Sequence, residues 1–308
     1  MTLDQLEIFL AVAQHLHFTR AAEALYMTQP SVSAAIQSLE GQYGVKLFNR
    51  IGRRVELTQA GQLLNREAQK LLDQVTLIER GLRELNDLQR GELHLGASQT
   101  IGNYWLPNFI TQFKRQYPNI RVNCTLGNTE AITTGTAIGL FDLGFVEGVV
   151  KPGLAASLEQ RVVGGDRLQI VVGRTHPWFK RKTVSLADLT STAWVMREDG
   201  SGTRQQFEQA LHQWGIPLAE LTIILEMSSG DMVKAAVEDG VGAAAISELS
   251  VAKERQLDTL HCLQIKGLAR GAAMNVMARS FLLLKHRERF QTRMAQTFEQ
   301  LLASSCLK

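Results

Sequence analysis

Up to Gly61, apolar residues recur at helical spacing. Leu3, Leu6, Phe9, Leu10 and Ala13 predict a first amphipathic helix, and Ala21, Ala22 and Leu25 a short second one. Tyr26 and Met27 make a break. Thr28 is placed to cap a third helix, and Pro30 falls in its first turn, where the missing N–H costs little. Val32, Ile36, Leu39 and Tyr43 then mark the inward face. After Gly44, KLFNRIGRRVELT predicts two short strands around a Gly52 turn. Thr58 can cap a long helix reaching about Leu88, with Leu64, Ala68, Leu71, Val75, Ile78, Leu82 and Leu85 in alternating steps of four and three. So narrow a seam predicts a coiled-coil dimerisation linker rather than a helix packed on its own domain.

Beyond Arg90-Gly91 the pattern changes. Strands are predicted at Leu93–Ala97, Arg121–Leu126, Asp142–Val146, Leu168–Gly173, Trp194–Arg197, Thr222–Glu226, Gly242–Ser247 and Ala273–Arg279. Between them fall helices at Ile101–Tyr117, Thr129–Ile138, Gly202–Trp214, Ser229–Asp239 and Ser250–Gln256, and a last helix runs from His286 to about Ala303. Strand-helix alternation of this kind predicts parallel sheets with right-handed crossovers.

At 308 residues the chain is too long for one small domain. We read 1–58 as one domain, 59–90 as a linker helix, and 91–308 as a two-lobed α/β domain (lobe 1 about 91–162 and 267–308, lobe 2 about 163–266). Hydrophobic content of 45% with 20% charged residues is ordinary for a soluble globular chain. The net charge of +3 is uninformative, but between Tyr43 and Val55 stand Lys46, Arg50, Arg53 and Arg54 and no acid. A patch of that kind suits phosphates or the minor groove. Cys124, Cys262 and Cys306 are far apart and show no metal spacing. Asp4 and Glu7 interrupt what would be a signal segment, and no run approaches the roughly 18 apolar residues of a membrane helix. The expectation is a cytoplasmic protein with no membrane partner, no metal and no cofactor.

The outward face of the third helix carries short polar residues that can reach base edges in a major groove. The candidate DNA-contacting set is Thr19, Arg20, Thr28, Gln29, Pro30, Ser31, Ser33 and Gln37, with Arg50, Arg53 and Arg54 in the hairpin. The opening LDQLEIFLAVAQHLHFTRAAEALYMTQPSVSAAIQSLEGQYGVKLFNR resembles the DNA-binding domain of LysR-type transcriptional regulators. Length and domain order extend the resemblance over the whole chain. One departure is His17, where many members carry a small capping residue; Thr19 is expected to take over part of that task.

The resemblance implies an α+β multidomain fold: an N-terminal winged helix-turn-helix, a long coiled-coil linker helix and a C-terminal two-lobed α/β effector domain like the periplasmic binding proteins. The last strand and helix are expected to return to the first lobe. It also implies a homotetramer, whereas the sequence itself argues only a pair joined through Leu64, Leu71, Val75, Ile78, Leu82 and Leu85. A two-fold dimer implies a pseudo-palindromic site in double-stranded promoter DNA. An effector bound between the lobes would alter how the DNA is held.

In open α/β sheets, ligands bind beyond the carboxyl ends of strands, near helix N-termini suited to anions. Four such junctions carry small polar groups: Ser98, Gln99 and Thr100; Asn128 and Thr129; Ser201, Gly202 and Thr203; and Ser228. Arg197 and Arg204 are nearby candidate charge partners, and Glu147 lies just past the third predicted strand. The expected ligand is a small anion. The ASQT and GSGTR segments resemble those of members that sense small sulfur oxyanions or carbon-fixation metabolites, so a phosphorylated metabolite or nucleotide stays open as an alternative. No GxSxG, HExxH, Walker loop or GxGxxG occurs, and the histidines are scattered, so no enzyme is expected. The rival reading is a sensor module acting through a protein partner rather than DNA.

Overall fold

Thr2 opens the first helix with a capping box, its hydroxyl accepting from the Gln5 amide while the Gln5 side chain returns the contact. The computed structural model describes residues 1–51, 54–86, 91–266 and 277–305. Arg53 and Cys306 lie outside the described residues, as do the side chains of Arg50, Arg54 and Leu85 and positions 273–276 of the last predicted strand. The chain divides into two compact units, Met1–Leu82 and Arg83–Lys308.

The first unit packs α1 (Leu3–His15), α2 (Phe18–Ala24) and α3 (Gln29–Tyr43) around Phe9, Val12, Ala21, Val32, Ile36 and Leu39, all buried. Thr28 accepts from the Ser31 amide as the α3 cap, with Pro30 in the first turn. At the start of α2 the expectation fails: His17, not Thr19, is the N-cap, its Nδ1 accepting from the Arg20 amide at 3.4 Å. Tyr43 was placed inward but is 52% exposed, because Gly44 turns the chain at the end of α3. The hairpin β1 (Phe48–Ile51) and β2 (Arg54–Leu57) is antiparallel. Phe48 sits 5.2 Å from the Phe9 ring and 5.9 Å from that of Phe18, which anchors the hairpin on the helices. Thr58 caps α4 (Gln59–Asn86) by accepting from the Gly61 amide at 3.0 Å.

In the second unit, β3 (Glu92–Ser98) pairs parallel with both β4 (Arg121–Gly127) and β5 (Leu143–Glu147). The helix expected from Ile101 begins as a π-helical turn, Ile101–Trp105, before α5 (Leu106–Gln116). The α6 helix (Thr129–Ile138) and a short α7 (Pro152–Ala155) follow. The β6 strand (Leu158–Gly173) is ten residues longer at its start than the predicted Leu168–Gly173. Its first part pairs with β12 (Ala278–His286) and its second with β10 (Ala243–Ser247), so one continuous strand crosses from one sheet to the other.

The second sheet holds β8 (Ala193–Arg197), β9 (Thr222–Met227) and β10, with α9 (Gly202–Gln213), α10 (Gly230–Glu238) and α11 (Ala252–Gln256) between and after them. Among the described residues the short elements α7, α8 (Leu186–Leu189), β7 (Thr183–Val184), β11 (Leu260–Ile265) and a 3-10 turn at Leu218–Glu220 went unpredicted. The last strand lies at Ala278–His286 rather than Ala273–Arg279, and the last helix, α12, at Arg293–Ser305 rather than from His286. Both return to the first lobe: β12 pairs with β5, and Phe298 and Leu302 pack with Leu93, Leu95 and Phe113. A separate core around Trp194, Phe207 and Leu211 fills the second lobe.

Candidate functional site

In the first unit, the core side of α3 leaves an outward stripe. Thr28, Gln29, Pro30, Ser31 and Gln37 are exposed and Ser33 is half-buried, while Thr19 and Arg20 stand exposed at the start of α2. Gln29 Nε2 donates to Ser33 Oγ at 2.9 Å, so these two side chains face the same way one turn apart. Tyr26, in the left-handed region at φ 54°, is 99% exposed in the turn between the helices.

Lys46 is drawn into an ion pair. Its Nζ lies 2.6 Å from Glu40, an acid just outside the window in which none was counted. Glu40 is buried and also accepts from the Leu47 and Phe48 amides, fixing where the hairpin leaves α3. Burial pushes its carboxyl up, but the Lys46 and amide hydrogen bonds outweigh that and hold it below the ordinary value. A depressed carboxylate contributes stability that is present above its unfolded pKa and is lost as pH falls through the lower folded value. Glu40→Gln is therefore expected to lower the melting temperature at neutral pH and to flatten its fall on acidification. Parallel pH profiles for variant and wild type would remove Glu40 from that role.

In the second unit the four polar junctions meet in pairs across the lobes. Gln99 donates through Nε2 to the Ser228 carbonyl at 2.8 Å and accepts from the Gly230 amide at 3.0 Å. The Gly202 amide donates to Thr129 Oγ1 at 3.2 Å, and Thr129 donates to the Glu147 carbonyl at 2.6 Å. Asn128 accepts from Ala131 as the α6 cap and donates to the Asp199 carbonyl at 3.4 Å. Ser201 is buried at the start of α9 without capping it.

Between the lobes lies a cavity lined by Gln99, Thr100, Asn103, Tyr104, Arg197, Thr203, Gly230, Asp231, Ser247 and Ser250, with Val233, Ala245 and Ile246. It encloses about 20 Å³, room for about one water. Anything larger than a water fits there only if the lobes part, breaking the Gln99 bridge and the 2.6 Å bond from Tyr104 Oη to Asp231. Of the predicted residues, Gln99, Thr100, Arg197 and Thr203 line this cavity. Ser98 and Glu147 are buried and hydrogen-bonded to each other, and Asn128, Thr129, Ser201, Gly202 and Ser228 serve lobe-to-lobe contacts or flank them.

Arg197 is buried and its Nε and Nη2 are held by Glu198 at 2.7 and 2.9 Å. Burial works on Glu198 in the upward direction, and Arg197 outweighs it, keeping that carboxyl low. Arg204 was expected as a second charge partner but is taken by Glu208 and Glu226. Sequence reasoning missed Arg279 altogether. Its guanidinium reaches Asp166, Glu147, Thr100 and Thr203 from behind the cavity. Nothing local marks it, because Asp166 and Arg279 are neighbours only through the β6–β12 register, Asp166 opposite Arg279.

Residues 3–62 match the family model for a bacterial regulatory helix-turn-helix protein of the lysR family, and residues 86–307 match that for the LysR substrate binding domain. A protein of Trichormus variabilis named "Probable RuBisCO transcriptional regulator" is 36% identical over 97% of this chain and 87% of its own length. One of the same name from Cyanidioschyzon merolae is 34% identical over 97% of this chain and 96% of its own. The crystal structure of CbnR, a LysR family transcriptional regulator, superposes with a TM-score of 0.72 at 21% identity, covering 99% of both chains. The regulatory domain of CcmR from Synechocystis PCC6803, solved in complex with 2-PG, gives a TM-score of 0.61 at 22% identity, covering 70% of this chain and 98% of that one. With both of its family models matched in order and relatives of this identity spanning nearly its whole length, the chain belongs to the LysR family of bacterial helix-turn-helix regulators.

Proposed function

We propose that the chain works as a cytoplasmic transcriptional regulator, not an enzyme, whose grip on promoter DNA is set by a small anion held between its two lobes. The observation that carries the anion reading is the cavity wall, where Thr100, Thr203, Arg197 and the start of α10 bring donors from both lobes together. Relatives named RuBisCO regulators, and a similar fold solved with 2-PG, favour a phosphorylated metabolite of carbon fixation over a sulfur oxyanion. No helix among the described residues is long and apolar enough to cross a membrane.

The organisation we propose is DNA reading by 1–58, pairing through 59–90 and ligand sensing by 91–308. The bases are read by Gln29 and Ser33, with Thr28, Pro30, Ser31 and Gln37 beside them. Thr19, Arg20, Arg50, Arg53 and Arg54 hold phosphates. The site is a pseudo-palindrome matched to the two-fold axis of a dimer, which associates further into a tetramer.

The test is a binding series on the DNA flanking the protein's own coding region and on random DNA, with and without 2-phosphoglycolate. Wild type is expected to prefer the promoter site, and the ligand to change its footprint. Gln29→Ala with Ser33→Ala is expected to cost about 1–3 kcal/mol on the specific site only. Equal loss on both DNAs would assign these residues to the backbone. A footprint indifferent to phosphorylated metabolites but altered by sulfate would restore the sulfur reading.

A further inference from the structure

Arg279 is a cation with its charge already met. Its side chain is 1% exposed, and Asp166 holds it at two points, 2.6 Å from Nε and 3.0 Å from Nη2. Glu147 lies 3.3 Å from Nη1. Two carboxylates around one guanidinium leave no positive charge for a ligand. Two further N–H bonds remain: Nη1 donates to Thr203 Oγ1 at 3.0 Å and Nη2 to Thr100 Oγ1 at 3.3 Å. Thr100 belongs to the first lobe and Thr203 to the second; both are buried and both line the cavity.

A hydroxyl has one proton to give and lone pairs with which to accept. Each threonine accepts from Arg279, and among the described residues no acceptor takes either threonine's proton. Ser98 and Ser247 are oriented the opposite way. Their protons go to Glu147 and Asp166, the carboxylates that hold Arg279. A buried donor without an acceptor is costly, so the cavity is incomplete until something supplies one.

We propose that Arg279 is a positioning residue that fixes the polarity of the cleft: by donating to Thr100 and Thr203 from behind, it turns both hydroxyl protons toward the cavity, which then selects a compact group presenting bare acceptor oxygens, an unprotonated oxyanion. This rests on the reading of the cleft as the effector site. The group's oxygens accept from these two hydroxyls and from Nη1 of Arg197, which no described residue accepts from, while Asp231, the carboxylate in the same lining, takes the Tyr104 hydroxyl. Arg279 itself never touches the ligand.

The test is titration calorimetry of the full chain with sulfate, hydrogenphosphate and 2-phosphoglycolate at about pH 8. Sulfate and hydrogenphosphate share shape and charge there, but only the second carries a proton needing an acceptor. Wild type is expected to bind sulfate at least about tenfold more tightly than hydrogenphosphate, a ratio worth 1.4 kcal/mol at about 25 °C. Thr100→Val with Thr203→Val should abolish that preference, and Thr100→Ser with Thr203→Ser should retain it. Arg279→Lys should weaken sulfate about as much as the valine pair, and adding it to that pair should weaken sulfate no further, since it acts through the same two hydroxyls. Losses that multiply would overturn the inference, as would equal affinity of wild type for sulfate and hydrogenphosphate, a comparison that needs no variant to fold. If wild type binds none of the three, the reading of the cleft as an anion site falls, and this inference with it.

Discussion

Replacing Leu71 and Ile78 with Asp is expected to convert the protein to monomers and to weaken binding to its promoter site by at least about 100-fold. In a single chain these side chains are 44% and 55% exposed, and Leu82 is 61% exposed. They follow one another along the later part of the α4 seam, whereas at its start Ala68 is buried and Leu64 packs against the core of the first unit. Burying a leucine or isoleucine is worth about 1.5–3 kcal/mol, and a dimer gains this at each position from both chains. An aspartate there forfeits that gain and adds the cost of taking a charge out of water. The effect on DNA follows from linkage. Two tethered helix-turn-helix units bind two half-sites as one event, an advantage of about 10²–10⁴ over either alone. Light scattering measures the mass, and a promoter titration measures the affinity. Dimers that persist in the double variant would refute the seam. Monomers with full promoter affinity would show that reading needs only one half-site.

The second large effect is expected from Gly202→Ala. Gly202 opens α9 in the second lobe against the end of β5 in the first. A methyl group there would lie 1.9 Å from the Glu147 carbonyl oxygen and 2.6 Å from Thr129 Oγ1. The first neighbour is backbone and cannot swing aside, so the lobes must separate. Overpacking of this kind costs about 1–3 kcal/mol. If the cleft binds the proposed anion and closes over it, that cost falls on the liganded form, and affinity for 2-phosphoglycolate drops about tenfold or more. Promoter recognition without ligand should be unchanged, because it resides in the first unit. Calorimetry with both proteins decides the matter; an unaltered affinity would mean that the ligand is held with the lobes apart.

The two predictions differ in how far the sequence alone could supply them. The seam follows from spacing, since a heptad repeat requires only a helix and a partner. The α3 helix followed from Thr28, Pro30 and the apolar positions, and α6 matched its predicted bounds because Asn128 and Gly139 cap it locally. Local signals misled where a long-range contact outbid them. At β6, Glu159, Gln160 and Arg161 and the Gly164–Gly165 pair do not read as strand, but β12 pairs with 158–162 and 164–167. Phe281–Leu284 is a continuous apolar run without alternation, and its placement as a strand came from being buried between β5 and β6.

The candidate cleft shows the same division. Its hydroxyls and glycines could be read from strand-to-helix junctions, because capping and tight turns are set within a few residues. Which of them reach the cavity could not. Thr129 and Gly202 were drawn into the contact between lobes, and Arg204 into an ion pair with Glu208 and Glu226. Sequence by itself determined the helix-turn-helix, the hairpin, the long α4 helix and the order of the longer strands and helices, since each rests on periodicity and nearest-neighbour chemistry. Only the tertiary structure decided that Asp166, Glu147 and Arg279 meet, because that depends on the register of β12 against β5 and β6. A hydroxyl's direction depends in turn on the cation behind it, and that cation stands 76 residues from Thr203 and 179 from Thr100 along the chain.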